Sequence, residues 1–312
     1  MKKILVILLP LSIFCGGLYF FIPSNPFIGK TISVSTTDIN AFKFLVNQKK
    51  WIRWWPGSKV ASNDSLFVFS GISFQIVKNT YSGVTVFIKD DEIALNSKIS
   101  YAATDNETVN ITWLADTQNN NGLTKRVENY VEAIKLNKSM FIILQHLKAF
   151  MENDQNVYGL KIGISHVKDS VMVAAKTIRS GYPDVPFIYG MVKALKKQYE
   201  QQNIKATNYP MLNISKNINN NYDITVAIPV DKTPGRLNKN TFVNKMVVGG
   251  NIMVTEVKGG PYIINNAFLQ LKNYSRDHHL TAPAMPFELL VTDRSVERDT
   301  SKWVTKIYYP IF

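Results

Sequence analysis

The sequence predicts an α+β protein of two domains, and three observations predict it. Ser65 to Asp116 carries short runs of alternating apolar and polar residues separated by Asn, Asp and Gly, which is the text of an antiparallel sheet. A long helix with an apolar stripe follows over Lys125 to Met151. After a polar patch at Glu152 to Asn156, a strand-helix-strand-strand order then occurs twice, implying a duplicated unit. With 312 residues and 46% hydrophobic content, the chain is long enough for about two domains of ordinary size.

The elements follow in order. Lys2 and Lys3 precede Ile4 to Pro23, twenty residues without a charge, which at about 1.5 Å per residue spans the ~30 Å hydrocarbon core of a bilayer. Residues 1–23 are therefore expected to be a membrane anchor, with a cleaved secretory signal as the alternative; the apolar run exceeds the usual signal length and lacks a small-x-small site. Lysines 2 and 3 ahead of the span favour a cytoplasmic N-terminus and an extracytoplasmic body, and both readings send the body across the membrane. Lys30 to Thr37 alternates as a strand. Asp38 is placed to cap a helix over Ile39 to Gln48, which WIRWWPG (51–57) closes. Strands are predicted in LFVFSGISFQIV, GVTVFIK, IALNSKISYAA and VNITWLA. In the long helix, Val127, Val131, Ile134, Met140, Phe141, Leu144, Leu147 and Met151 are expected to face the sheet. The second domain carries strands at 171–178, 211–215, 222–230, 252–257, 287–292 and 303–309, with helices at 187–201 and 262–276.

Composition excludes several functions. Thirty-six Lys plus Arg against 23 Asp plus Glu give +13, but no block of five or six like charges occurs, so the surface is diffusely basic and nucleic-acid binding is not predicted. Cys15 lies inside the first apolar run, leaving the folded part without a disulfide, a CxxC zinc site or a thiol nucleophile. His146, His166, His278 and His279 have no second ligand at metal-binding spacing, so no metal site is expected. GxSxG, phosphate-loop and GxGxxG patterns are absent, which removes the nucleophile-elbow and nucleotide-binding readings and leaves no cofactor implied. Asp90, Asp91 and Glu92 are expected to form a solvated hairpin turn.

A strand, short helices, a run of antiparallel strands and a long final helix is the order of a helix-grip domain. With the leader ending near FIP and the segment KWIRWWPG, residues 24–152 resemble the START-like (SRPBCC, polyketide cyclase) superfamily. Residues 155–312 resemble the GyrI-like effector-binding domain through YDITVAIPV (222–230), VTEVKGGPY (254–262) and the tail PFELLVTDRSVERDTSKWVTKIYYPI (286–311). That resemblance implies an aromatic-lined cleft between two halves, with a buried glutamate facing cationic or amphipathic ligands; Glu288 matches it. Some relatives pair this glutamate with a tyrosine two residues later for hydrolysis. Leu290 stands there in this chain and cannot exchange a proton.

From the residues themselves, Glu288 between Phe287 and Leu289 either faces solvent, caps a core hydrogen bond or, if held among apolar groups, must be paired with a donor or a cation or stay protonated. Alternation puts Glu288 and Leu290 on one face and Phe287 and Leu289 on the other. Tyr189, Tyr262, Trp303 and Tyr308 are candidate lining residues, because large rings supply contact area and a polar tip. Trp51, Trp54 and Trp55 are expected to pack a helical cap on the first sheet. The predicted function is a membrane-tethered protein that binds a small apolar or cationic molecule without catalysis. Its rivals are a hydrolase in the second domain's cleft and a non-binding scaffold.

Overall fold

The computed structural model describes residues 22–116, 122–166, 171–238, 241–245 and 250–312. Residues 1–21, with most of the expected membrane segment and Cys15, lie outside the described residues. Among those described, no helix is long and apolar enough to cross a membrane. The chain is a mixed α+β structure with two antiparallel sheets, and it divides into two compact units, residues 1–153 and 154–312.

The first unit is a seven-stranded sheet in the order β1-β7-β6-β5-β4-β3-β2. Its strands are β1 (Gly29–Ser35), β2 (Ser58–Lys59), β3 (Leu66–Phe69), β4 (Ile72–Thr80), β5 (Gly83–Lys89), β6 (Ala94–Ala103) and β7 (Thr108–Ala115). Residues Ser70 and Gly71, both at positive φ (50° and 80°), make the two-residue β3–β4 turn, the geometry that matches the twist of a tight hairpin. One short helix, α1 (Asp38–Ala41), runs on through a π-turn at Phe42–Val46 and a 3-10 turn at Gln48–Arg53. The expected Asp38 cap is corrected to Thr37, whose side chain accepts from the Asn40 N–H at 3.3 Å.

Trp51, Trp54 and Trp55 are buried, and each indole N–H is answered by a backbone carbonyl: Leu45 at 2.7 Å, Phe44 at 3.0 Å and Val68 at 3.1 Å. Their rings pack with Phe67 and Phe74 of the sheet. These tryptophans are core.

The long helix α2 (Leu123–Met151) packs along edge strand β1. Side chains of α2 cover that edge: Asn137 bonds the Gly29 N–H and the Phe27 carbonyl, Lys148 the Ser33 carbonyl, and Glu152, just past the helix, the Ser35 N–H. Capping an edge this way removes a template for strand addition. The expected stripe holds at Met140, Leu144, Leu147 and Met151, which are buried, and needs correction elsewhere. Val131, Ile134 and Phe141 are 54%, 55% and 46% exposed, while the buried seam runs through Ala133, Leu136, Met140, Ile143, Leu144, Leu147, Phe150 and Met151. Apolar residues recur at helical spacing on two sides of α2, and periodicity alone does not choose between them.

The second unit begins with α3 (Asp154–Tyr158), so the polar patch expected as a boundary is partly helical. Its eight strands are β8 (Gly163–His166), β9 (Val171–Arg179), β10 (Met211–Lys216), β11 (Tyr222–Val230), β12 (Thr241–Lys245), β13 (Asn251–Lys258), β14 (Phe287–Leu290) and β15 (Val304–Ile311). They lie in the order β12-β9-β11-β10-β14-β15-β13-β8. The two repeats, β9-α4-β10-β11 with α4 (Val185–Glu200) and β13-α5-β14-β15 with α5 (Pro261–Asp277), are therefore placed symmetrically and meet at β10 and β14. Edge strands β8 and β12 have no counterpart in the sequence analysis, being short and, in β8, wholly exposed. Gly259, just before the Gly260 N-cap of α5, has φ +145°, a conformation reserved for glycine, and a Cβ there would meet Ile263 at 2.8 Å.

Helix α4 packs on β9 and β11 through Ile188, Val192, Leu195 and Tyr199, against Val226, Leu212 and Leu290. Helix α5 packs on β13 and β15, whose buried residues Thr255, Val257, Thr305 and Ile307 lie on the same sheet face. Both helices thus cover one face, with β10 and β14 under the line where the halves meet.

Candidate functional site

Glu288 lies on β14, opposite Leu212 of β10 and Ile307 of β15, on the helix-bearing face at the centre of the sheet. It is 8% exposed. Its partner comes from the β14–β15 connection: Arg294 Nη2 donates to Glu288 Oε2 at 2.7 Å and to Thr305 Oγ1 at 2.8 Å. Arg294 is itself buried, and its guanidinium carbon sits 4.8 Å from the Trp303 ring centroid, a cation–π distance. Its Nε is a buried donor without an acceptor among the described residues.

The connection from Val291 to Trp303 is held in place by hydrogen bonds. The Tyr189 hydroxyl accepts from the Arg294 N–H at 2.7 Å and donates to the Thr292 carbonyl at 3.2 Å, tying α4 to the segment. Thr292 Oγ1 accepts from the Val304 N–H, and the Trp303 indole N–H donates to the Glu297 carbonyl. Tyr189 is thus a clamp, and Trp303 presents a fixed ring to the guanidinium.

Burial pushes the Glu288 carboxyl above its ordinary value, with the Arg294 charge and hydrogen bond pulling the other way. Partial burial, with the Glu288 charge adding to it, raises the Tyr182 phenol, although that ring is 53% exposed. The Tyr182 ring meets Tyr222 edge-on at 5.4 Å. Tyr222 and Phe187 pack against the same apolar cluster as Leu290, and Arg179 lies 4.3 Å over the Phe187 ring. At the ion pair itself are therefore the Trp303 ring face, the Tyr189 hydroxyl on the Arg294 backbone and one unanswered donor.

Of the residues expected at the site, Glu288, Tyr189 and Trp303 come together. Tyr308 does not. It is opposite Phe287 in the ladder and stacks on it at 5.1 Å and 5°, on the face away from Glu288, because strand alternation separates 287 from 288. Tyr262 stands in the first turn of α5 and is 82% exposed, so it forms no buried wall. Arg294, Thr305 and Tyr182 were not anticipated. The signal for Arg294 was the demand of a buried acid for a cation, with an arginine six residues away. Leu290 is 2% exposed in the α4 cluster, so its position offers no proton-transfer group.

In the first unit, Asp90–Glu92 connects the paired strands β5 and β6 with Asp91 and Glu92 exposed, as expected, while Asp90 is partly buried. Asp90 accepts from the N–H groups of Glu92 and Ile93 at 2.9 and 2.7 Å and pairs with Lys135 of α2 at 3.4 Å. Burial opposes ionisation of Asp90, but these bonds and the lysine together hold its carboxyl below the usual value. Among the described residues, no group of three or more His, Cys, Asp or Glu is placed to hold a metal ion.

No protein-family profile matches the chain, and no curated protein does. Among solved structures, the chain is similar to the EcmrR C-terminal domain at 15% identity and a TM-score of 0.42, over 49% of this chain and 98% of that one. A hydrolase from Listeria innocua aligns at 8% identity and 0.37, over 49% and 92%. SAV2435 bound to tetraphenylphosphonium aligns at 13% identity and 0.32, over 49% of this chain and 94% of its own.

Proposed function

We propose that the second unit is a non-catalytic binding module of the GyrI-like kind for a small amphipathic molecule. Residues 1–23 hold it, together with a START-like first unit, at a membrane, with the body on the extracytoplasmic side. One observation carries the reading: a buried carboxylate, Glu288, lies where two symmetric halves meet, bonded to Arg294, which in turn contacts Trp303 and Tyr189. Buried ionic groups are costly unless well paired, and a purely structural sheet centre is more simply built from apolar residues. Hydrolysis lacks support, because the position two residues after the acid is a core leucine.

The test uses the full chain in mild detergent. Native mass spectrometry reads any retained small molecule, and thermal shifts read a panel of lipophilic neutral and cationic compounds, including tetraphenylphosphonium, the molecule bound to SAV2435. A ligand at about 100 times its dissociation constant stabilises the folded state by about 2.7 kcal/mol. Stabilisation that Glu288→Gln weakens supports the module. A panel without a single stabilising member overturns it in favour of a scaffold.

A further inference from the structure

We propose that Arg294 is the resident cation of the Glu288 site, so that the ligand of the second unit is a neutral amphipathic molecule carrying a hydrogen-bond acceptor. Cationic ligands then enter only once Arg294 is removed. The inference rests on the binding role just given and names its ligand class.

An organic cation in a buried aromatic site draws on two features, a carboxylate for its charge and a ring face for its cation–π contact. Here Arg294 occupies both. Its Nη2 is 2.7 Å from Glu288 Oε2, and its guanidinium carbon is 4.8 Å from the Trp303 centroid. Thr305 Oγ1 takes a further bond from the same nitrogen at 2.8 Å, and Tyr189 holds the Arg294 backbone. A second cation would have to break this set or sit beside a like charge where solvent screening is weak. With the two charges answering each other, the remaining polar opportunity is a neutral one. The Arg294 Nε–H is buried and has no acceptor among the described residues. A buried donor left unmade is costly, so a carbonyl, ether or phosphine-oxide oxygen gains most there, and a cation gains nothing.

The experiment compares two probes of similar shape on the full chain, tetraphenylphosphonium and the neutral acceptor triphenylphosphine oxide. Calorimetry measures each against wild type, Arg294→Met and the Arg294→Met/Glu288→Gln double variant. Wild type is expected to bind the oxide at least about tenfold tighter than the phosphonium. Arg294→Met reverses that order, and the double variant, having lost the carboxylate, gives up the gain. Should Arg294→Met unfold for want of a counter-ion, recovery of its circular dichroism on adding tetraphenylphosphonium carries the same information, and failure to recover counts against the proposal. Wild type preferring the phosphonium, or an Arg294→Met protein that gains no cation affinity while the oxide still binds wild type, overturns Arg294 as resident cation and leaves the binding role standing. Binding of neither probe to any form overturns both.

Discussion

The two units use their large rings differently. In the first, Trp51, Trp54 and Trp55 contact one another, Phe67 and Phe74, with each indole N–H closed by a backbone carbonyl. In the second, the Trp303 indole is closed in the same way by Glu297, but its ring face carries a buried guanidinium that in turn holds a buried carboxylate. The first arrangement is satisfied packing, which stabilises and does no chemistry. The second keeps charge in a low-dielectric place, where small changes in pairing matter. The same residue type, tryptophan at the end of a helical turn or connection, thus marks a core in one unit and a candidate site in the other, and the charged neighbour makes the distinction.

Three measurements would break or sharpen this contrast. Trp51→Ala should have the largest effect, a loss of about 3–5 kcal/mol through the cavity it leaves. Hydrogen exchange should show that loss in the first unit's strands alone; equal loss of protection in β14 and β15 would contradict the division into two units. Tyr189→Phe comes next, at about 1–3 kcal/mol, because it leaves the Arg294 N–H without its acceptor. Its effect should concentrate in residues 291–303, and unchanged exchange there would remove Tyr189 from the role of clamp. The smallest effect is a pH dependence. Glu288 takes up a proton more readily in the folded state than unfolded, so between the ordinary value of 4.5 and the raised folded one, stability falls as pH rises. Glu288→Gln lacks this titration, so the wild-type advantage over the variant should shrink as pH rises from 4.5 and then level off. An advantage that grows with pH would mean that Arg294 outweighs burial.

Much of the architecture was legible before any coordinates. The strands from Leu66 to Ala115 alternate cleanly because one face is buried, and the duplicated order of the second unit follows from turn residues and two helices with well-separated apolar faces. The buried side of helix α2 is only half legible, for the opposite reason. Tyr130, Val131, Ile134 and Phe141 form a second apolar side, so spacing identified a helix without saying which side meets the sheet. At the site, the burial of Glu288 is an expectation of the family resemblance, since its neighbours Phe287 and Leu289 lie on the other face of the strand, and Tyr308, a cleft candidate by residue type, falls on that other face by parity. The partial burial of Asp90 is not legible, because the sequence does not show Lys135 arriving from a helix 45 residues later.

By itself the sequence determined the α+β class, the long helix and the repeat, because local periodicity acts over a few neighbouring residues. Tertiary structure decided that Glu288 is buried and which group answers it, since Arg294 reaches the carboxylate only when the β14–β15 connection folds back under the Tyr189 clamp. It likewise decided which side of α2 is core. Both depend on where separate elements meet, and chain spacing carries no record of that geometry.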